Sequence, residues 1–146
     1  MDAVYTRTMR WAGADETFLD RPDATAVSRL MLGRYGGRVD AGASKNEDAA
    51  LIIEGPDWEL AVVADAHAGG DSAALVVELM ENSTELRRVL EQPSPLTLSA
   101  LHTEVISRLL RADTSRLTGE TALLVVARKG GFLSWLSVGD CVAYVL

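Results

Sequence analysis

Ala49-Ala50-Leu51-Ile52-Ile53-Glu54-Gly55-Pro56-Asp57-Trp58-Glu59-Leu60-Ala61-Val62-Val63-Ala64 reads as two apolar strands folded back on each other. Gly55-Pro56-Asp57-Trp58 joins them, and its Pro and Asp suit a type I turn. Pairing Gly55 with Trp58 sets Glu54 opposite Glu59 and carries Asp48 to a place directly across from Asp65. Directly opposed side chains have Cβ atoms about 5 Å apart, and like charges there destabilise a sheet unless a counter-ion lies between them. A slip of one residue brings Glu47 opposite Asp65 instead, so opposed carboxylates survive the commonest register error. The Glu54/Glu59 pair sits at the turn tip, where water screens it. The other end runs into Ala66-His67-Ala68-Gly69-Gly70, a small-residue turn that leads toward a helix.

Outward from this hairpin the chain runs through helices and then returns to strands. Asp71 or Ser72 can cap a helix whose apolar side is Ala73, Ala74, Val76, Val77 and Met80, with Glu78 and Glu81 outside. Asn82-Ser83-Thr84-Glu85 either breaks it or caps a second turn. Residues 96–112 form a stronger helix, with Leu98, Leu101, Val105 and Leu109 in helical register and Ser94-Pro95 as its start signal; His102 lies off that stripe and reads as a surface residue. Thr121–Arg128 and Phe132–Val138 are strands joined by a Gly130-Gly131 hairpin turn, and Val142–Leu146 begins another. Upstream, Arg29–Tyr35 is a first strand, and residues 1–28 read as an arm or loop before a domain spanning 29–146. Strands, two helices, then strands describe an α+β layered domain with mainly antiparallel sheets.

Composition sets the class. The chain has 146 residues, 48% of them apolar, which suits one domain with a sizeable core. Its 21 acidic and 14 basic residues give a net charge of −7, with no Lys/Arg cluster to bind nucleic acid. No run of 18 apolar residues exists to span a membrane, and Met1-Asp2-Ala3-Val4-Tyr5 lacks the shape of a signal peptide, which points to a cytoplasmic protein. A single cysteine, Cys141, excludes an internal disulfide and reads as a small hydrophobe within a strand.

An Asp at a strand end followed by a tight turn can offer its carboxylate and the next backbone carbonyl to one hard cation, and oxygen-only donors point to Mg²⁺ or Mn²⁺. The plainer alternative is that Asp65 caps the turn, Gly69-Gly70 serves the helix entry, and Glu47 and Asp48 are solvated.

Three motifs in order resemble the magnesium- or manganese-dependent type 2C protein serine/threonine phosphatases. Lys45-Asn46-Glu47-Asp48-Ala49 is similar to that family's Asn-Glu-Asp box, and Val63-Ala64-Asp65-Ala66-His67-Ala68-Gly69-Gly70 to its Asp-Gly-His-Gly-Gly turn. Gly119-Glu120-Thr121-Ala122 with Val138-Gly139-Asp140-Cys141-Val142-Ala143-Tyr144 is similar to its Gly-Ser-Thr-Ala and Val-Gly-Asp-Ser-Arg-Ala-Tyr pair. The resemblance implies a β-sandwich flanked by helix pairs, here a partial antiparallel sandwich with one helix pair and with the second half of the domain absent. It also implies a two-metal hydrolase in which a bridging water attacks the phosphorus of a phosphoserine or phosphothreonine on a protein substrate. By position, Asp65 would bridge both ions, Ala66 would offer its backbone carbonyl, Glu47 and Asp48 would hold metal-bound waters, and His67 would be the general acid. Asp140 falls where some members hold a third ion, and also suits a turn-stabilising role.

The departures from the family are specific. Ala43 stands where the family has an arginine for the substrate phosphate, and Lys45, Arg38 or Arg34 is the available replacement, a lysine without the bidentate fork. Ala66 and Ala68 replace glycines, Cys141 replaces a serine, and two aspartates of the family's second half have no counterpart. Two readings follow: an incomplete phosphatase domain with little or no activity, and a pseudophosphatase or interaction module that keeps the fold. A small acidic domain with an incidental hairpin and no metal is the third. A Val142–Leu146 strand at an open sheet edge would also favour a homo-oligomer.

Overall fold

Five strands form one antiparallel sheet, and its centre is the hairpin quoted above. In a computed structural model describing residues 6–13, 22–35, 46–92, 98–115, 117 and 119–144, β4 (Ala49–Glu54) pairs with β5 (Trp58–His67) from Glu54↔Glu59 to Ala49↔Ala64. Gly55 N–H donates to Trp58 O at 2.9 Å and closes the turn, so the register is the one expected from the turn residues. The other strands are β1 (Arg7–Ala12), β6 (Glu120–Lys129) and β7 (Phe132–Val138), in the order β1-β4-β5-β6-β7. A separate two-stranded sheet pairs β2 (Pro22–Val27) with β3 (Leu30–Tyr35). The fold is α+β with antiparallel pairing throughout the described residues.

Three helices, α1 (Asp71–Glu81), α2 (Thr84–Glu91) and α3 (Leu98–Arg111), cover one face of the larger sheet. The period-2 pattern of β4, β5 and β6 sends Leu51, Ile53, Trp58, Leu60, Val62, Leu123 and Val125 to that face, where they meet Val77, Met80, Leu86, Leu90, Leu101 and Val105. Each fully buried Leu, Ile or Val of this layer contributes roughly 1.5–3 kcal/mol against its exposed state. A buried lysine completes the layer: Lys129 Nζ donates to Leu90 O and Gln92 O, closing the carbonyl end of α2.

Several elements differ from the sequence expectation. Residues 82–85 do break the helix, because Ser83 Oγ accepts from Leu86 N–H at 3.0 Å and starts α2 as a helix of its own, making three helices where two were expected. The N-cap of α1 is Gly70, with no side-chain cap from Asp71 or Ser72. Strands β1 and β2 lie inside residues 1–28, the stretch expected to be an arm; β1 is an outer strand whose Arg7 and Arg10 interrupt the apolar alternation that marks central strands. Residues 142–144 are not a strand. After β7 the chain bends at Gly139 (φ +88°), and Cys141 sits half-buried beside Asp65 in irregular backbone. Residues 145–146, the rest of the expected strand, lie outside the described residues. His102 is exposed, as expected.

Candidate metal and phosphate site

The turn that leaves β5 is held by the two acids that precede β4. Asp48 Oδ1 accepts from Ala66 N–H at 3.2 Å, and Glu47 Oε2 accepts from Gly69 N–H at 3.0 Å. Asp48 is itself pinned through its backbone: its N–H donates to Asn46 Oδ1 at 2.9 Å, and its C=O accepts from Gly13 N–H at 2.8 Å. From the other side Thr121 Oγ1 donates to Asp65 O at 3.0 Å. Gly119 (φ +86°) approaches so closely that a Cβ on it would lie 2.7 Å from His67 O. Ala68 takes the strained left-handed conformation (φ +65°) within this turn. That costs roughly 1–2 kcal/mol, and the contacts from Glu47 and Gly119 on either side of the turn hold it.

The register places Asp48 and Asp65 together across the hairpin, their carboxylates within hydrogen-bonding reach when one carries a proton. Burial first, and then the Asp65 charge, holds the Asp48 carboxyl above the usual carboxylate range, with the Ala66 N–H pulling the other way. Burial also raises the Cys141 thiol, followed by the charges of Asp65 and Asp140, so this thiol is not an activated nucleophile.

A pocket of about 440 Å³ opens beside Asp65, walled by His67, Glu120, Thr121, Ala122, Val138, Gly139 and Asp140. Asp65, His67 and Asp140 therefore share one cavity, although Asp140 lies 75 positions beyond Asp65 in the chain. Glu47 and Asp48 do not line it; they stand behind the turn and hold it. Ala66 is half-buried and packs against the helix-covered core. Ala43, Lys45 and Arg38 lie outside the described residues. Arg34 is committed elsewhere: it pairs with Asp23 (2.6 Å) and stacks over Trp11 at 5.7 Å.

Two residues of the wall carried no role in the sequence reading. Glu120 sits directly opposite His67 in the β5–β6 register, and Thr121 ties the two strands at Asp65. Their only sequence signal was membership of the Gly119-Glu120-Thr121-Ala122 motif, because a cross-strand neighbour 53 positions away has no local signature.

Among the described residues the wall holds three carboxylates and one imidazole, with no lysine or arginine. It suits a cation better than a bare phosphate. Among the described residues no group of three or more His, Cys, Asp or Glu side chains stands in metal-holding geometry. Mg²⁺, however, is usually held by one or two carboxylates with waters filling the rest. The adjacent carboxylates of Asp48 and Asp65 fit one such ion, while the described residues assemble no second set.

No protein-family model, no curated protein and no solved structure matches this chain. Among the described residues no helix is long and apolar enough to cross a membrane.

Proposed function

We propose that the chain is an incomplete type 2C phosphatase-like domain, a partial sandwich that takes Mg²⁺ or Mn²⁺ at Asp48 and Asp65, with turnover near background. One observation carries the reading: the Asn46-Glu47-Asp48 box, the Asp65–Gly70 turn, the Gly119–Ala122 segment and Gly139-Asp140 are far apart in the chain, yet they meet at one end of one sheet. Chance matches to unconnected motifs have no reason to converge. Bound ions of this kind lower the pKa of a coordinated water and neutralise charge on phosphoryl oxygens. In the same reading Asp65 is the carboxylate that faces both the pocket and Asp48, and exposed His67 on the rim holds the proton for a departing serine or threonine alkoxide of a phosphoprotein. A cytoplasmic location goes with this reading.

The low turnover follows from what the pocket lacks. Among the described residues no arginine or lysine lines it to receive a phosphate, and Ala43 stands at the family's arginine position. Titration calorimetry with Mn²⁺ tests the reading: wild type should release heat, and Asp65→Asn should not. Identical heats from the two proteins would remove the metal. Hydrolysis of p-nitrophenyl phosphate by wild type should stay near background with Mn²⁺ present.

A second reading, a non-catalytic interaction module, is favoured by the use of Glu47 and Asp48 as ties for the backbone of residues 66–69. In that case both acids are structural, and Mn²⁺ leaves the melting temperature unchanged.

A further inference from the structure

Leu51 and Ile53 of β4 face the helices, so Ala50 and Ile52 face the other way, yet these two are only 2% and 4% exposed. On the same face Val63 and Trp135 are 40% and 48% exposed. The β2–β3 hairpin accounts for the difference. At its turn, Arg29 pairs with Glu59 (2.5 Å) and approaches Glu54 (3.7 Å) at the tip of β4–β5. Toward the other end of β3, Arg34 lies over the ring of Trp11 at 5.7 Å, and Trp11 is the β1 partner of Ala50. These two contacts lie on either side of Ile52, so β3 runs along β4 from the turn end toward the acidic end.

The tip contact has the form of a latch. Glu59 is its fixed half: the carboxylate is 4% exposed and also accepts from Arg128 Nη2 at 2.6 Å. Glu54 sits directly opposite Glu59, so Arg29 faces two like charges that it relieves together. Ser28, just before Arg29, takes φ +51° at the first position of a two-residue turn, where glycine is at ease and serine is strained. The strained turn carries Arg29 to Glu59, and that pair holds the strain in place.

The base is tied to the candidate site. Asn46 Nδ2 donates to Tyr35 O at 2.7 Å, while Asn46 Oδ1 accepts from Asp48 N–H at 2.9 Å. One side chain thus joins the end of β3 to the backbone of Asp48, whose carboxylate holds the Ala66 N–H. Between tip and base, no ladder joins β2–β3 to the larger sheet among the described residues. The hairpin can leave without breaking any strand pair of that sheet, and a two-stranded hairpin by itself is marginal in water.

We propose that β2–β3 is a latched flap: Arg29 fastens its tip to Glu59 and Glu54, and when the latch parts the hairpin lifts away, withdrawing Tyr35 from Asn46 and loosening Asp48. The closed state has the Arg29, Arg34 and Asn46 contacts and the open state lacks them, which makes the flap a two-state element between two places in the fold. Glu54 and Asp48 are six positions apart, about 20 Å along a strand. The inference stands on these contacts and is independent of whether Asp48 serves an ion or only the backbone of the turn.

Native-state hydrogen exchange on the whole chain, without metal, tests it. In wild type the β2 and β3 amides should exchange together, at least about tenfold faster than those of Leu51 and Val62 in the central hairpin, because the flap opens without global unfolding. Arg29→Gln should speed the β2 and β3 amides about tenfold more, and the Asp48 amide with them, while Leu51 and Val62 stay as in wild type. Arg29→Lys keeps the charge without the planar fork and should fall between the two. In an Asn46→Ala background the tie to the site is cut, so adding Arg29→Gln should still speed β2 and β3 but leave the Asp48 amide where Asn46→Ala alone puts it. Exchange of β2 and β3 at the rate of the central hairpin, no response to Arg29→Gln, an Asp48 amide that does not follow the flap, or equal speeding of all strands in both Arg29 variants would overturn the proposal.

Discussion

Replacing Asp48 with Asn removes one of the two opposed charges while keeping the shape of the site. Asn Oδ1 can still accept from Ala66 N–H (3.2 Å with Asp48), and Asn Nδ2 can donate a hydrogen bond to the Asp65 carboxylate. Two unit charges about 5 Å apart repel by roughly 3 kcal/mol at an effective dielectric constant near 20. Asp65 is exposed and Asp48 half-buried, so solvent reduces the recoverable part to about 1 kcal/mol. Without metal, Asp48→Asn should therefore melt about 2–4 °C above wild type at neutral pH. The pH dependence has a definite sign. A carboxyl whose folded pKa is raised binds its proton more tightly in the native state, so its stabilisation is complete below the unfolded value of 3.8 and is lost as pH rises through the folded value. The advantage of the variant should thus shrink toward zero on acidification, as wild type also becomes protonated. Saturating Mn²⁺ should reverse the order: an ion at one hundred times its dissociation constant adds about 2.7 kcal/mol to wild type and little to the variant. Melts at several pH values, with and without Mn²⁺, check all of this. A variant less stable than wild type at neutral pH without metal, or an advantage that does not change with pH, would refute the reasoning.

Gly119→Ala should cost about 2–3 kcal/mol in chemical denaturation and shift the His67 ring resonances, since the residue sits at φ +86° and its new Cβ would press on His67 O. Ala68→Gly should raise stability by about 0.5–1 kcal/mol, as relief of the left-handed strain exceeds the added freedom of the unfolded chain; a loss would mean that the strain is absent. Lys129→Met should cost about 2–3 kcal/mol and speed hydrogen exchange at the end of α2, because the Leu90 and Gln92 carbonyls lose a buried charged donor.

Local patterns were legible in the sequence wherever the physics is short-range. The turn at Gly55–Trp58 specifies its own register, so the opposition of Asp48 and Asp65 followed from counting residues outward from it. The Gly130-Gly131 hairpin and the apolar stripe of α3 were readable for the same reason: a turn or a helix face involves residues within a few positions of each other. The use of each carboxylate was not. Whether Asp48 and Glu47 hold an ion's waters or hold the backbone of the 66–69 turn depends on which donors arrive beside them, and Ala66 and Gly69 arrive only when the hairpin is folded.

The sequence by itself determined that a block of helices separates two runs of strands, that the central hairpin has one register, and that acids gather at its open end. Only the tertiary structure decided that β1 joins from residues 7–12, that Glu120 faces His67, that Asp140 reaches the wall of the same pocket, and that β7 is left at the margin. Periodicity and turn chemistry act over a few residues. Pairing between distant strands is chosen by the burial of whole faces and by backbone groups that must find partners, which no short stretch of chain records.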